Sequence, residues 1–286
     1  MTLNEYLKNE FGEKVYKFSL NGGFTCPNRD GTKGDRGCIF CSEGGSGEFA
    51  EDPSLSITEQ IERGKNRVAK KYKGHSYIAY FQAFTGTYAP VEKLRSLYTE
   101  AINHPDVVCL SIATRPDCLP DDVLDLLEEL NTIKPVWVEL GLQTIHPETA
   151  TYIRRGYDLP VYDQAVENLR SRGLSVITHV ILGLPGETKE DMKETVSYVV
   201  KGGISGIKLQ LLHVLKGTDL EKDYLEGKFK TLEMDEYMDI LKECLTLIPD
   251  DVVIHRMTGD GDKKILVAPM WSADKKRVIN EINRIV

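Results

Sequence analysis

The sequence lacks a long hydrophobic segment, and this bears on where the protein works. No apolar run approaches the length of about 20 residues that a helix needs to cross a bilayer, so we expect no membrane partner. The N-terminal stretch MTLNEYLKNEFGEKVYK has no basic start followed by an apolar core, which argues against a signal peptide. A cytoplasmic location is therefore expected, and thiols stay reduced there.

Positive charge is also scarce. The 36 lysines and arginines are outnumbered by 44 aspartates and glutamates, which gives a net charge of −8 and a pI of about 5.4. This balance disfavours DNA as a partner, because the composition lacks the excess of basic residues that is typical of DNA-binding proteins. It leaves open a local basic patch for a structured RNA, since binding depends on where the charge lies.

Only six cysteines occur in 286 residues, and their spacing does not indicate a disulfide framework. Three of them, Cys26, Cys38 and Cys41, fall in one glycine-rich stretch, GGFTCPNRDGTKGDRGCIFC. A structural zinc site takes four ligands, but residues 21–53 contain no fourth Cys or His. An iron–sulfur cluster on three thiolates would leave one iron open for a small molecule. A three-cysteine zinc site remains an alternative, whereas a thioredoxin-like dithiol would give Cys26 no role.

Apolar segments typical of buried strands alternate with helical patterns. The strand candidates are 15–20, 77–84, 107–115, 135–144, 175–184 and 206–214. The helical patterns between them cover 54–72, 91–103, 120–130, 161–173 and 188–203. Such repetition predicts a parallel sheet with helical crossovers. A complete eight-unit barrel usually needs about 250 residues, so the six units predict an α/β fold, a partial (βα)6 TIM-type barrel.

The rest of the chain predicts an addition to that barrel. A helix at 233–248, two short strands and an amphipathic helix at 273–286 follow the sixth unit. We expect residues 1–220 to form the core and residues 221–286 to form a small extension packed on it, related to substrate binding. Sites in parallel barrels form at the carboxyl ends of the strands, so residues at those ends should face the cysteine loop at 21–53.

The cysteine loop resembles that of the radical S-adenosylmethionine (SAM) superfamily, including the aromatic Phe40 before the last cysteine. The commonest spacing there is C-x3-C-x2-C, whereas eleven residues separate Cys26 from Cys38. This longer spacing is similar to the branch that contains the catalytic subunit of Elongator and, more closely, to the YhcC/YtqA-like family. Further resemblance lies in FQAFTGTYAPVEKL, TRPDCLPDDV, WVELGLQTIH, RRGYD, THVILGLPGET and KLQLLHVLKGT, which together span nearly the whole chain.

The resemblance implies a fold of the radical SAM kind and a [4Fe-4S] cluster on Cys26, Cys38 and Cys41, with SAM bound to the fourth iron. It implies cleavage of SAM to a 5′-deoxyadenosyl radical and an electron donor such as flavodoxin or ferredoxin. It also implies a tRNA substrate, with carboxymethylaminomethyl-uridine at the wobble position converted to aminomethyl-uridine in the 2-thiouridine pathway and a methyltransferase acting next.

Two alternatives stay open beside this assignment. The first keeps the radical chemistry but gives it a small-molecule or protein substrate, and the acidic pI favours it. The second is a zinc-binding module without catalysis, which the three clustered cysteines alone would also fit.

The resemblance places candidate SAM contacts at the strand ends and in the cysteine loop. These are Phe40, Gln82, Thr85, Thr114, Arg115, Glu139, Gln143, Arg155, His179, Leu184 and Gln210. No catalytic residue is assigned. A locally basic C-terminal segment supplies candidates for substrate contact, which are His213, Arg256, Lys263, Lys264, Trp271 and Lys275. The alternative for that segment is a solvated amphipathic helix that Trp271 anchors to the core.

Overall fold

A sheet of seven parallel strands forms the centre of the computed structural model, which describes residues 1–45, 47, 49–259 and 261–285. The strands are β1 (Tyr16–Leu20), β2 (Tyr77–Phe81), β3 (Val107–Thr114), β4 (Val136–Gln143), β5 (Ser175–Leu182), β6 (Gly206–Leu211), β7 (Val214–Leu215), β8 (Val253–Arg256) and β9 (Leu266–Ala268). The main sheet has the order β1-β2-β3-β4-β5-β6-β8, and β7 pairs with β9 in a separate antiparallel ribbon.

Helices connect the strands and cover the outer face of the sheet. They are α1 (Leu3–Phe11), α2 (Ile57–Val68), α3 (Val91–Asn103), α4 (Asp121–Asn131), α5 (Pro147–Tyr152), α6 (Leu159–Ser171), α7 (Lys189–Lys201), α8 (Asp219–Leu225), α9 (Met234–Thr246) and α10 (Lys275–Ile285). Each begins where the sequence supplies a cap or a proline; Ser56, for example, forms a capping box with Glu59 at the start of α2. Within the described residues, every helix is too short or too polar to cross a lipid bilayer.

The predicted partial barrel is confirmed, and the structure adds one strand to it. From β1 to β6 each strand pairs in parallel with the next one along the chain. The seventh strand, β8, comes from the segment expected to form an extension and pairs with β6. The division at residue 220 stays a prediction, but the sheet itself includes residues from both sides of it.

Side chains that point into the curved sheet form layers along the strands. Near the amino ends, Ile78, Cys109 and Trp137 pack in one apolar cluster with Leu7 of α1. This cluster closes the lower end of the barrel. One layer higher, polar side chains surround the buried Glu139. The carboxyl ends of the strands therefore form the accessible end of the interior, which is where a site is expected in a parallel barrel.

Candidate functional site

One cavity at the carboxyl ends of the strands brings together the three cysteines of the loop and most of the predicted SAM contacts. Its lining includes Phe40, Gln82, Thr85, Thr114, Arg115, Glu139, Gln143, Arg155, His179 and Gln210. Leu184 is the exception, because it is buried in an apolar cluster with Ile39 and Ile181. An approach of its turn to SAM through backbone and shape stays a prediction.

The eleven residues between Cys26 and Cys38 form a closed excursion of the chain. The amide of Gly37 donates to the carbonyl of Asn28 at 2.7 Å, and the amide of Lys33 donates to the carbonyl of Pro27 at 2.7 Å. The chain therefore returns to the point where it left. The hydrogen bond between Gly37 and Asn28 shortens the connection between Cys26 and Cys38. Across this bond, only Pro27, Asn28 and Gly37 lie between the two cysteines. A long spacing in sequence is thus a short spacing in space.

One side chain fixes this loop to the segment after α5, and another joins two parts of the loop. Asn28 Nδ2 donates to the carbonyl of Arg154 at 2.7 Å and lies 3.5 Å from Cys38 Sγ. Arg29 Nη2 donates to the carbonyl of Cys41, the last cysteine of the loop, at 3.1 Å. Gly37 has a φ of +74°, and a Cβ there would lie 2.8 Å from Arg29 Nε. Glycine at this position both permits the backbone conformation and leaves room for the arginine.

We expect Asn28→Ala to weaken this loop without removing a cysteine. The substitution removes the amide donor that Asn28 supplies to the carbonyl of Arg154 and to the sulfur of Cys38, a loss of about 1 kcal/mol for one hydrogen bond. After anaerobic reconstitution, iron content should be normal, but visible absorbance should decay several-fold faster than in the wild type when a chelator is added. Thr32→Ala, whose hydroxyl contacts Tyr88 at the tip of the excursion, is the matched control. Equal decay rates for the two variants would contradict this role of Asn28.

The thiols of the loop lie in a positively charged environment. The hydrogen bond that Cys41 donates lowers the pKa of Cys38, and the charges of Arg115 and Arg154 act in the same direction against burial. The same hydrogen bond and burial raise the pKa of Cys41 well above its usual value. Three thiols that share one cavity with guanidinium groups fit a [4Fe-4S] cluster, because thiolates are its usual ligands and the cations offset their charge.

The two predicted arginines are held by the protein itself. Arg115 forms a bidentate ion pair with Asp117 at 2.9 and 2.8 Å, and its Nη1 donates to the carbonyl of Arg155 at 2.8 Å. Arg155 in turn donates to the carbonyls of Thr144 at 2.6 Å and Tyr157 at 3.0 Å. Both guanidinium groups thus shape the wall of the cavity, Arg115 directly after β3 and Arg155 in the segment after β4 and α5. A direct contact of either with SAM stays a prediction.

Gln143 occupies a strained position on the rim of the cavity. Its φ is +67°, in the left-handed region that residues with a side chain rarely adopt. In the amide orientation that satisfies its neighbours, Nε2 donates to the carbonyls of Leu142 at 2.8 Å and Gly141 at 2.9 Å. A Cβ on Gly141 would lie 2.8 Å from the other polar atom of this amide group. Strain that the surroundings enforce in this way is typical of functional sites.

Glu139 lies at the floor of the cavity, fully buried and surrounded by four donors. Oε1 accepts from Lys17 Nζ at 2.9 Å and from Ser111 Oγ at 2.7 Å. Oε2 accepts from His179 Nε2 at 2.8 Å and from Lys208 Nζ. A carboxylate has about four acceptor positions, so these donors satisfy Glu139. Its role is to hold the floor together, and its predicted contact with SAM would need one of these bonds to be exchanged.

The ionisable side chains on this floor have shifted pKa values. Burial alone would raise the pKa of Glu139, but the charges of Lys17 and Lys208 outweigh burial and hold it well below its usual value. Burial lowers the pKa of His179 to about 4 and that of Lys208 to about 7. His179 is therefore a neutral ring near pH 7, and its Nε2–H donates to the ionised Glu139.

Sequence patterns alone missed Lys17 and Lys208, and with them Tyr80, whose hydroxyl lies 3.2 Å from Lys208 Nζ. Tyr80 is buried, and its ring lies 4.4 Å from Lys17 Nζ. A usable signal was present in the alternation along the strands. Side chains on a strand alternate between the two faces of the sheet. Lys17 and Lys208 therefore lie on the inner face, while the apolar residues before and after each lysine lie on the outer face.

The predicted substrate contacts lie in different surroundings, some in cavities and others on the exposed surface. Arg256 lines the cavity just described, and His213 lines a second cavity beside it. Lys263 and Lys264 are exposed on a turn between β8 and β9, while Lys275 is exposed at the start of α10, 5.7 Å from the Phe49 ring.

Trp271 is half-buried and makes contacts with the core. Its Nε1 donates to the carbonyl of Leu232 at 2.9 Å, and its ring packs at 5.8 Å from the ring of Tyr237. These contacts favour the alternative, an anchor to the core, and the role of Trp271 in substrate binding stays a prediction.

Comparison with known proteins gives relatives along the whole chain. A family model described as the Radical SAM superfamily matches residues 28–199, and one described as the Radical_SAM C-terminal domain matches residues 204–286. YtqA of Bacillus subtilis (strain 168) is 48% identical over 99% of this chain and 88% of that protein. A tRNA uridine(34) acetyltransferase of Methanocaldococcus jannaschii is 26% identical over 56% of this chain and 30% of that protein. The archaeal Elp3 of Methanocaldococcus infernus shares the fold, with a TM-score of 0.67 and 19% identity over 92% of this chain and 63% of that chain.

Proposed function

The chain belongs to the radical SAM superfamily, and on this premise we propose that its substrate is the wobble uridine of a tRNA. Membership implies a [4Fe-4S] cluster and SAM as cofactors, and the cavity with three cysteines fits them. The observation that carries the tRNA proposal is the 26% identity, over 56% of the chain, to a relative named for uridine 34 of tRNA.

The residues of the chain would divide the work as follows. Cys26, Cys38 and Cys41 would hold the cluster, and the strand ends with Gln143 and Arg155 would hold SAM beside it. When bound, these cofactors supply a carbon radical that can remove hydrogen from an unactivated carbon. The floor around Glu139 would offer few free hydrogen-bonding groups to this space, because the carboxylate is satisfied by its neighbours.

The proposed reaction would cleave the bond between the amino nitrogen and the carboxymethyl carbon of carboxymethylaminomethyl-uridine and leave aminomethyl-uridine. Water would be the co-substrate, the carboxymethyl group would leave as glyoxylate, and the two electrons released would be balanced by reduction of SAM to methionine and 5′-deoxyadenosine. A flavodoxin or ferredoxin would supply the electron, and a methyltransferase would act on the product. The proposed setting is the cytoplasm, where reduced thiols persist. The second candidate is a small-molecule or protein substrate for the same radical chemistry, which the net charge of −8 favours because RNA is anionic.

The tRNA proposal predicts a specific change in a strain that lacks this protein. Carboxymethylaminomethyl-uridine should accumulate in tRNA, and aminomethyl-uridine and its methylated product should fall to near the detection limit. Mass spectrometry of nucleosides from purified tRNA measures both. The control is the same strain complemented with the wild-type gene and, separately, with the Cys38→Ala variant, which should not restore the product. Wobble nucleosides that are unchanged in the deletion strain would refute the tRNA substrate and leave the second candidate.

A further inference from the structure

Two cavities meet at Arg256. The first is the cavity of the cysteines, and the second extends from it past His213 toward the segment after β8. The residues that line both are Phe40, Gln82, Ile181, Gln210 and Arg256. Among these five, Arg256 alone carries a charge. A molecule that enters through the second cavity would therefore pass Arg256 before it reaches the cofactor space.

Positive charge is concentrated behind this junction. The strand register places His179 beside Lys208, and Lys208 beside Arg256. The charge of Arg256 is close enough to lower the pKa of Lys208 and of His179. Glu139 is the one carboxylate on the floor among the described residues that line the first cavity, and it already accepts from both lysines of the floor. Among the described residues, this floor thus places one carboxylate and two lysine side chains behind Arg256.

The second cavity is narrow on the side of the C-terminal segment. A Cβ on Gly259 would lie 2.5 Å from His213 Cε1, and a Cβ on Gly261 would lie 2.7 Å from His213 Nδ1. The backbone thus approaches the ring of His213 as closely as glycine allows. Such a passage suits the slender tip of a side group better than a phosphodiester backbone.

We propose that Arg256 binds a carboxylate group of the substrate at this junction, with Lys208 behind it adding positive charge. A guanidinium is suited to a carboxylate because its donors match the two oxygens. The inference rests on the proposed function, since carboxymethylaminomethyl-uridine ends in a carboxylate. SAM carries a carboxylate too, and the experiment separates the two sources.

The test compares matched probes on the reconstituted enzyme with SAM bound, under anaerobic conditions. One pair is carboxymethylaminomethyl-uridine and its methyl ester, which lacks the negative charge. The other pair is N-benzylglycine and its methyl ester, which carry the same carboxymethylamino group without uracil. Dissociation constants for each probe, and for SAM alone, are measured by calorimetry in the wild type, Arg256→Gln and Arg256→Lys. Arg284→Gln removes an exposed arginine on α10 and is the matched control.

We expect the wild type and Arg284→Gln to bind each acid about 10- to 100-fold more tightly than its ester, the range for one hydrogen bond between charged groups. Arg256→Gln should lose this preference, Arg256→Lys should keep part of it, and SAM affinity should change less than twofold. Acid and ester that bind equally to the wild type would overturn the proposal, as would a preference that survives in Arg256→Gln. A loss of SAM affinity in Arg256→Gln as large as the loss for the acid would assign the arginine to SAM instead.

The two proposals can fail separately. If N-benzylglycine shows the preference while tRNA nucleosides are unchanged in the deletion strain, the carboxylate site stands and the tRNA substrate falls. If the nucleosides change while acids and esters bind alike, the tRNA substrate stands and the carboxylate site falls.

Discussion

Replacing any one of Cys26, Cys38 or Cys41 by alanine should abolish the iron–sulfur cluster and, with it, all cleavage of SAM. A cubane cluster takes one thiolate for each iron, so three cysteines leave one iron open, and two would leave a second iron without a protein ligand. All three line the same cavity. Iron and sulfide content, visible absorbance after anaerobic reconstitution, and formation of 5′-deoxyadenosine should each fall to background, a loss of at least about 100-fold in rate.

The other three cysteines provide the control. Cys109, Cys118 and Cys244 are buried, and burial raises the pKa of Cys118 and of Cys244 to about 12. They are therefore inert thiols, and their alanine variants should keep the cluster and the activity. Colour retained in Cys38→Ala would contradict the assignment, and so would loss of the cluster in Cys118→Ala. A colourless wild-type protein with one bound zinc would instead support a zinc site on three cysteines.

The strand ends show how much of the site could be predicted from sequence. Buried parallel strands have continuous apolar runs, so their limits are visible, and polar residues such as Gln82, Gln143 and Gln210 stand out where each run ends. The barrel geometry then brings these ends together, whatever their separation along the chain. This is why the described structure places most of the predicted contacts in one cavity.

Other features depend on contacts that no local pattern contains. The return of the cysteine loop depends on the hydrogen bond between Asn28 and Gly37, and either residue could occur in an open loop. The helix α1 was not predicted because only Leu7 in it is buried. Strand β8 joins the main sheet through pairing with β6, and four residues do not specify a partner. Arg155 matched a motif, but its donors turned out to hold backbone carbonyls.

Glu139→Gln should cause the largest loss of stability of any conservative substitution on the floor of the cavity. The amide cannot balance the charges of Lys17 and Lys208, whose side chains are 22% and 5% exposed. Removing one partner of a buried ion pair typically costs about 3–5 kcal/mol, and we expect a loss in this range near pH 6. The free energy of unfolding of the reconstituted protein, from anaerobic urea denaturation, measures it.

The loss of unfolding free energy in Glu139→Gln should also depend on pH. The pKa of Lys208 determines whether this loss grows or shrinks as the pH rises. Burial already lowers that pKa to about 7 in the wild type, and without Glu139 it falls further. At a pH between the pKa of Lys208 in the folded variant and its pKa in the folded wild type, Lys208 is protonated only in the wild type. In that range the unfolded variant binds one more proton than the folded variant, so the stability of the variant rises with pH while that of the wild type does not. The difference in unfolding free energy should therefore narrow as the pH rises toward 7 and stay constant above it.

Two variants control for simpler causes of that loss. Ser111→Ala removes one neutral donor to Glu139 and should cost about 1 kcal/mol at every pH. Glu139→Gln combined with Lys208→Met removes both charges and should recover most of the stability, because replacing a whole buried pair is far less harmful than breaking it. A Glu139→Gln variant that loses no more than Ser111→Ala, or loses the same amount at pH 6 and pH 8, would show that the lysines do not depend on this carboxylate. The floor would then be held by packing around Tyr80 and Trp137 rather than by charge.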